Sequence, residues 1–185
     1  EIWATRFELR DAISLSRPGR RIEIGLQRVH DGVVRDGRIH FTTVDGHLVL
    51  VDAETLATER VIDLADGSAA DSALGWTRGV HVIDERLAWI GFSRIRPTKI
   101  RENIAFVARG FRKFTGTHVA LYDLVTGSCL ERFDVERFGV SAVFGIYPVV
   151  GTSAGGSIRK ATRTSARFGN WCPDRAAGGR AWSAP

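Results

Sequence analysis

The chain has 185 residues, 44% of them hydrophobic and 25% charged, which suits one globular domain with a sizeable core. No apolar run approaches the roughly 18 residues of a membrane-spanning helix, and no basic-then-apolar leader opens the sequence, so a soluble, cytoplasmic protein is expected. The formal charge of +5 belongs to residues 151–185, where Arg159, Lys160, Arg163, Arg167, Arg175 and Arg180 face one acid, Asp174; residues 1–150 are neutral overall, which argues against a body built for specific nucleic-acid binding.

The chain starts at Glu1 and contains no methionine, the pattern of a fragment or a processed product. Cys129 and Cys172 are too few for a disulfide framework and point to a reducing compartment. Residues 1–20 carry Trp3, Phe7 and Leu9, as in part of a strand, followed by the turn composition Ser16-Arg17-Pro18-Gly19. Residues 21–26 then alternate with period two and read as the outer strand of a truncated preceding unit.

Residues 29–64 are the organising stretch. A strand over 29–35 meets Asp36-Gly37, a two-residue hairpin signal because type I′ turns need positive φ. A second strand, 38–44, ends at Asp45-Gly46. The nearly all-apolar 47–52 reads as a strand buried on both faces, and 58–64 completes a four-stranded unit of the kind that forms β-propeller blades. A Ser/Asp/Ala/Gly linker over 65–75 follows.

The pattern then starts again. Residues 78–83 and 86–94 match the first two strands, and 117–123 and 130–135 match the last two. Asp52 and Thr55 correspond to Asp123 and Thr126, a turn device in which the carboxylate accepts backbone N–H groups two or three residues on. Ser141 opens a third copy over 141–148, which then fails. The expected architecture is all-β: a partial β-propeller with two nearly complete blades (about 29–64 and 78–135), flanking partial blades, and one helical insertion.

That insertion, 96–116, places Ile100, Ile104, Val107, Phe111 and Phe114 on one helical stripe. Arg101, Arg109, Arg112 and Lys113 fall on its other face. These charges are either simply exposed to water or form a basic lid over a phosphate, sulfate or carboxylate group. Residues 151–185 have no periodicity and too little apolar surface to offset their ordering entropy. They read as a basic low-complexity tail, disordered or translated from a shifted reading frame.

Catalytic signatures are absent: there is no Gly-x-Ser-x-Gly elbow, Walker loop, Cys-x-x-Cys pair or His-Glu-x-x-His helix, and no cofactor or metal is expected. The functional candidates are positional. In a propeller the first strand of each blade lines the central channel, so His30, its counterpart Arg78, Asp31 and Ser141 would converge on one mouth. His30 there would serve as base or ligand, Asp31 as acid or ligand, and Arg78 as an anion clamp. The remaining histidines, His40, His47, His81 and His118, read as structural.

The runs GWTRGVHVIDERLAWIGFSRIRPTKIRENIAFVARGF, THVALYDLVTG and SAVFGIYP, with GLQRVHDGVVRDGRIHFTTVDGHLVLVD upstream, resemble a bacterial family of β-propeller proteins of unknown function. The resemblance spans about residues 20–148, implies the fold, and supplies no catalytic residues. The functional expectation is a ligand- or protein-binding propeller module, with a small anionic ligand or a protein as partner. The alternative is a piece of a propeller enzyme of lyase, hydrolase or sulfotransferase type.

Overall fold

The structure, a computed structural model, describes residues 1–26, 28–64, 72–95 and 113–148. They form three antiparallel sheets and one short parallel pair. The first sheet has the order β1 (Trp3–Arg6), β2 (Asp11–Ser14), β3 (Arg21–Glu23). The second is a meander of β4 (Val29–Arg35), β5 (Arg38–Thr43), β6 (His47–Asp52) and β7 (Thr58–Asp63). The third runs β9 (Trp76–Val82), β10 (Leu87–Ser93), β12 (His118–Asp123), β13 (Ser128–Asp134). Between β10 and β12 the chain leaves the sheet, and there β11 (Lys113–Phe114) pairs in parallel with β8 (Ser72–Ala73). Among the described residues the sheets do not close into a ring.

The turns behave as their residues dictate. Asp36 and Gly37 both adopt positive φ, 48° and 75°, as a type I′ hairpin requires. Asp52 Oδ1 accepts the N–H groups of Glu54 (3.0 Å) and Thr55 (2.6 Å) and the Thr55 hydroxyl (2.8 Å). Asp123 Oδ1 likewise accepts Val125 N–H at 2.8 Å. Ser14 does the same work at the end of β2, its Oγ accepting Arg17 N–H at 2.9 Å. The outer hairpin of each sheet closes alike: the N–H groups of Ile24, Leu64 and Val135 donate to the carbonyls of Arg10, Gly46 and Thr117.

Strand alternation builds two cores. Ile39, Phe41, Val49 and Val51 point from the second sheet to Ala12 and Ile22 of the first. The intervening Leu48, with Ile62 and Leu64, points the other way, to Val80, Val82, Ala88, Ile90, Phe92, Ala120 and Tyr122 of the third. The second sheet is therefore apolar on both faces, which is why residues 47–52 read as continuously hydrophobic. Tyr122, fully buried, donates its hydroxyl to the Leu64 carbonyl at 3.1 Å and ties the two sheets together.

Three expectations change. Residues 1–20 hold two strands rather than part of one; β1 and β2 are only four residues each, and their faces mix Arg6 and Asp11 with apolar side chains, so no clean alternation announces them. The predicted helix over 96–116 lies outside the described residues up to 112. Its end is not helical: Lys113–Phe114 are a strand, because sheet pairing with Ser72–Ala73 satisfies that backbone instead. The only helix among the described residues is a 3₁₀ turn, Glu136–Phe138. Residues 141–148 run across the third sheet and, among the described residues, pair with no strand. The low-complexity tail, 151–185, lies outside the described residues.

Candidate functional site

The four predicted positions lie on two neighbouring elements and the crossing segment. His30 and Asp31 stand near the start of β4, Arg78 near the start of β9, and Ser141 opens the segment that runs over them. A bond joins the first strands of these adjacent sheets: Asp31 Oδ2 accepts the Gly79 N–H at 2.8 Å. Gly79 in turn lies flat against Gly145. Its φ is +61°, and a Cβ there would come within 2.9 Å of the Gly145 Cα. Positions 31, 79 and 145 thus follow one another in space as successive layers; where Asp31 reaches with a carboxylate, Gly79 lets the next backbone approach directly.

His30 is fixed through its backbone, whose carbonyl accepts the Thr5 hydroxyl at 2.9 Å. Its ring stands edge-on to Phe7, centroids 6.4 Å apart. Nδ1 lies 3.2 Å from Asp31 Oδ2, within ion-pair range but not aligned as a hydrogen bond. Burial pushes the Asp31 carboxyl upward most strongly, yet contact with His30, the Gly79 N–H and the charges of His30 and Arg78 together outweigh it. The net effect holds the carboxyl below its ordinary range.

Arg78 is clamped by aromatic rings. Its guanidinium carbon lies 5.3 Å from the Trp76 ring centroid and 5.0 Å from that of Phe144. Both rings lie within cation–π range of the guanidinium, whose N–H groups are the donors a carboxylate or phosphate would use. The cleft beside it, about 230 Å³, is lined by Trp76, Arg78, Ser93, Arg94, Ser141, Ala142 and Phe144. Two predicted residues, Arg78 and Ser141, therefore share one cleft. Asp31 lines an adjoining opening of about 330 Å³ with Gly79, His81 and residues 144–148, and Phe144 borders both.

The far wall is pinned at both ends. Ser93 Oγ accepts Val143 N–H at 3.0 Å and lies 3.1 Å from its carbonyl. The Thr117 hydroxyl donates to the Ser141 carbonyl at 3.0 Å and accepts the Arg94 N–H at 3.2 Å. Gly91 makes room underneath, since a Cβ there would meet Val143 Cγ1 at 2.5 Å. Arg94 pairs with Glu136, whose other oxygen accepts Thr117 N–H at 2.8 Å.

Trp76, Ser93, Arg94 and Phe144 were missed by sequence reasoning. Trp76 sits two residues before Arg78 on β9, so period-two spacing from the candidate would have found it. Arg101, Arg109 and Arg112 of the predicted lid lie outside the described residues, and Lys113 falls in β11. Among the described residues no group of three His, Cys, Asp or Glu could hold a metal. His47 sits between Asp45 (3.1 Å) and Asp63 (3.7 Å), and His40 is buried, with burial pushing its pKa down.

Comparison with family models, with curated proteins and with solved structures finds no match.

Proposed function

We propose that the chain is a β-propeller-type binding module whose channel mouth takes a small organic anion. The supporting observation is the aromatic clamp on Arg78 beside a cleft shared with Arg94 and Ser141. A guanidinium packed against two aromatic rings is pre-oriented, so less side-chain entropy remains to be lost when an anion binds it. The propeller reading draws on sheets that pack face on face, on outer hairpins closed by the same bond, and on first strands that meet at Asp31 and Gly79. On this reading the chain belongs with the bacterial propeller family its sequence resembles.

Calorimetric titration with a panel of small carboxylates, phosphates and sulfates tests the proposal. Saturable binding should be lost in Arg78→Ala and strongly weakened in Arg78→Lys, which lacks the bidentate fork. Binding unchanged in both variants, or none across the panel, would refute it. The enzyme reading rests on His30 and Asp31, an imidazole beside a carboxylate held ionised. It requires turnover of the bound anion that His30→Ala abolishes while leaving binding intact.

A further inference from the structure

The cleft at Arg78 shares a wall with a second opening of opposite charge. Phe144 borders both, and the second opening, about 330 Å³, is lined by Asp31. The two charged groups are neighbours in the fold. Asp31 Oδ2 accepts the N–H of Gly79, the residue after Arg78, at 2.8 Å, and the Arg78 charge acts on the Asp31 carboxyl. The Asp31 side chain is 36% exposed, so a ligand can touch it. Its contacts with the Gly79 N–H and with His30 Nδ1, at 3.2 Å, both fall on Oδ2; among the described residues no donor reaches Oδ1. Burial works against ionisation of this carboxyl, but His30, the Gly79 N–H and Arg78 outweigh it and keep it charged. A half-buried negative charge thus retains one oxygen able to accept.

That charge bears on what the Arg78 cleft can hold. A simple anion docked on Arg78 would sit in the field of the Asp31 carboxylate and be repelled by it. A ligand that also carries an ammonium turns the repulsion into attraction. The N⁺–H···O⁻ bond it would form is of the strong, charge-assisted kind. Val33, Val80 and Ile146 line the same opening and offer an apolar wall to the carbon skeleton between the two charges.

We infer that Asp31 is an ammonium subsite, with Oδ1 as the acceptor, and that the ligand of the adjoining cleft is a small zwitterion of the amino-acid class, its carboxylate on Arg78 and its ammonium on Asp31. The acidic end of this ligand rests on the proposed anion site at Arg78. The ammonium subsite stands on Asp31 itself, so the two can fail separately.

The probes are acetate, propionate and butyrate, each paired with its ω-amino counterpart: glycine, β-alanine and γ-aminobutyrate. The distance between the charges grows by one methylene along the series, and butylammonium supplies the cation alone. In calorimetry on the full chain, one amino compound should bind about tenfold or more tighter than its plain acid. Asp31→Asn keeps the side chain's shape and an oxygen for the Gly79 N–H. It should erase that gain while the plain acid binds as tightly as before or more so, which also shows that the variant is folded. In ¹⁵N-resolved nuclear magnetic resonance, butylammonium should shift the Gly79 amide, whose acceptor carboxylate it then shares, and should leave that amide still in Asp31→Asn. Acids that bind with no gain from the amino group, or a gain that survives in Asp31→Asn, overturn the inference and leave the anion site standing. Butylammonium without effect on Gly79 in the native chain also overturns it. If no acid binds but butylammonium shifts Gly79 only when Asp31 is present, the ammonium subsite is upheld and the anion site at Arg78 falls.

Discussion

His118 should make the fold acid-sensitive by an amount that can be worked out. The ring is buried in β12, stacked on Phe92 with centroids 4.7 Å apart and planes 11° apart. Nδ1 lies 2.8 Å from the Gly116 carbonyl and donates to it, while Nε2 has no hydrogen-bond partner among the described residues. Burial drives the pKa from 6.5 down to about 4, reinforced by the charge of Arg132 and opposed by the Gly116 carbonyl and Asp134. The folded protein therefore binds the proton more weakly than the unfolded chain. The stability contribution is complete above 6.5 and is lost as pH falls from 6.5 towards 4. At roughly 1.36 kcal/mol per pH unit, this amounts to a loss of about 3 kcal/mol.

The assay is urea denaturation across that pH range for the native chain and for His118→Asn, which keeps a donor for the Gly116 carbonyl but does not titrate. The difference between the two stabilities should change with pH by about 3 kcal/mol. His40, also lowered by burial, contributes equally to both proteins and cancels. Parallel pH profiles would refute the reasoning.

Other substitutions probe the joints between elements. Tyr122→Phe leaves the buried Leu64 carbonyl without its donor and should cost about 1–3 kcal/mol in chemical denaturation. Asp123→Ala should destabilise the fold more than Asp52→Ala in the same denaturation assay, because the Asp123 carboxylate is only 3% exposed and carries Arg86 as well as its turn. Both carboxyls are held below the ordinary 3.8, Asp123 chiefly by Arg86 and Asp52 chiefly by the Thr55 N–H, so each contribution is present at neutral pH and lost as pH falls through the folded value. Gly91→Val places atoms where Val143 sits. It should cost about 1–3 kcal/mol and weaken anion binding while the far-ultraviolet circular dichroism stays that of a sheet protein.

The parts of the fold legible in the sequence were those set by local rules. Asp36-Gly37 opens β5 with positive φ at both residues, a backbone few other pairs accept, whereas at the expected second turn of this kind, Asp45-Gly46, only Gly46 is left-handed. The Asp-x-x-Thr turns mark the ends of β6 and β12 because the carboxylate accepts the N–H groups that the strand end leaves open. The first sheet was poorly legible because Arg6, Asp11 and Arg21 interrupt its alternation with an ion cluster. The helical stripe over 96–116 misled at its end, since Lys113 and Phe114 are fixed by pairing with a distant segment.

At the site, relative offset matched Asp31 with Gly79, and the two are bonded in the structure, while His30 turns to Thr5 and Phe7. That logic could not show that Phe144 rather than Ser141 would close on Arg78. The contact depends on Gly79 and Gly145 letting two backbones touch, a three-dimensional fact with no local signature. Arg94 was invisible because it stands just outside β10, held there by Glu136.

The central claim is that Trp76, Arg78, Ser141 and Phe144 form one anion-binding cleft. A ¹⁵N-resolved nuclear magnetic resonance titration with an anion from the panel tests it residue by residue. The account predicts that the Trp76 indole N–H, the Arg78 Nε–H and the Ser141 and Phe144 amides shift together and saturate on a single curve, while Gly116 and His118 stay still. Shifts that grow linearly without saturation, or that fall only on residues outside that cleft, would contradict it.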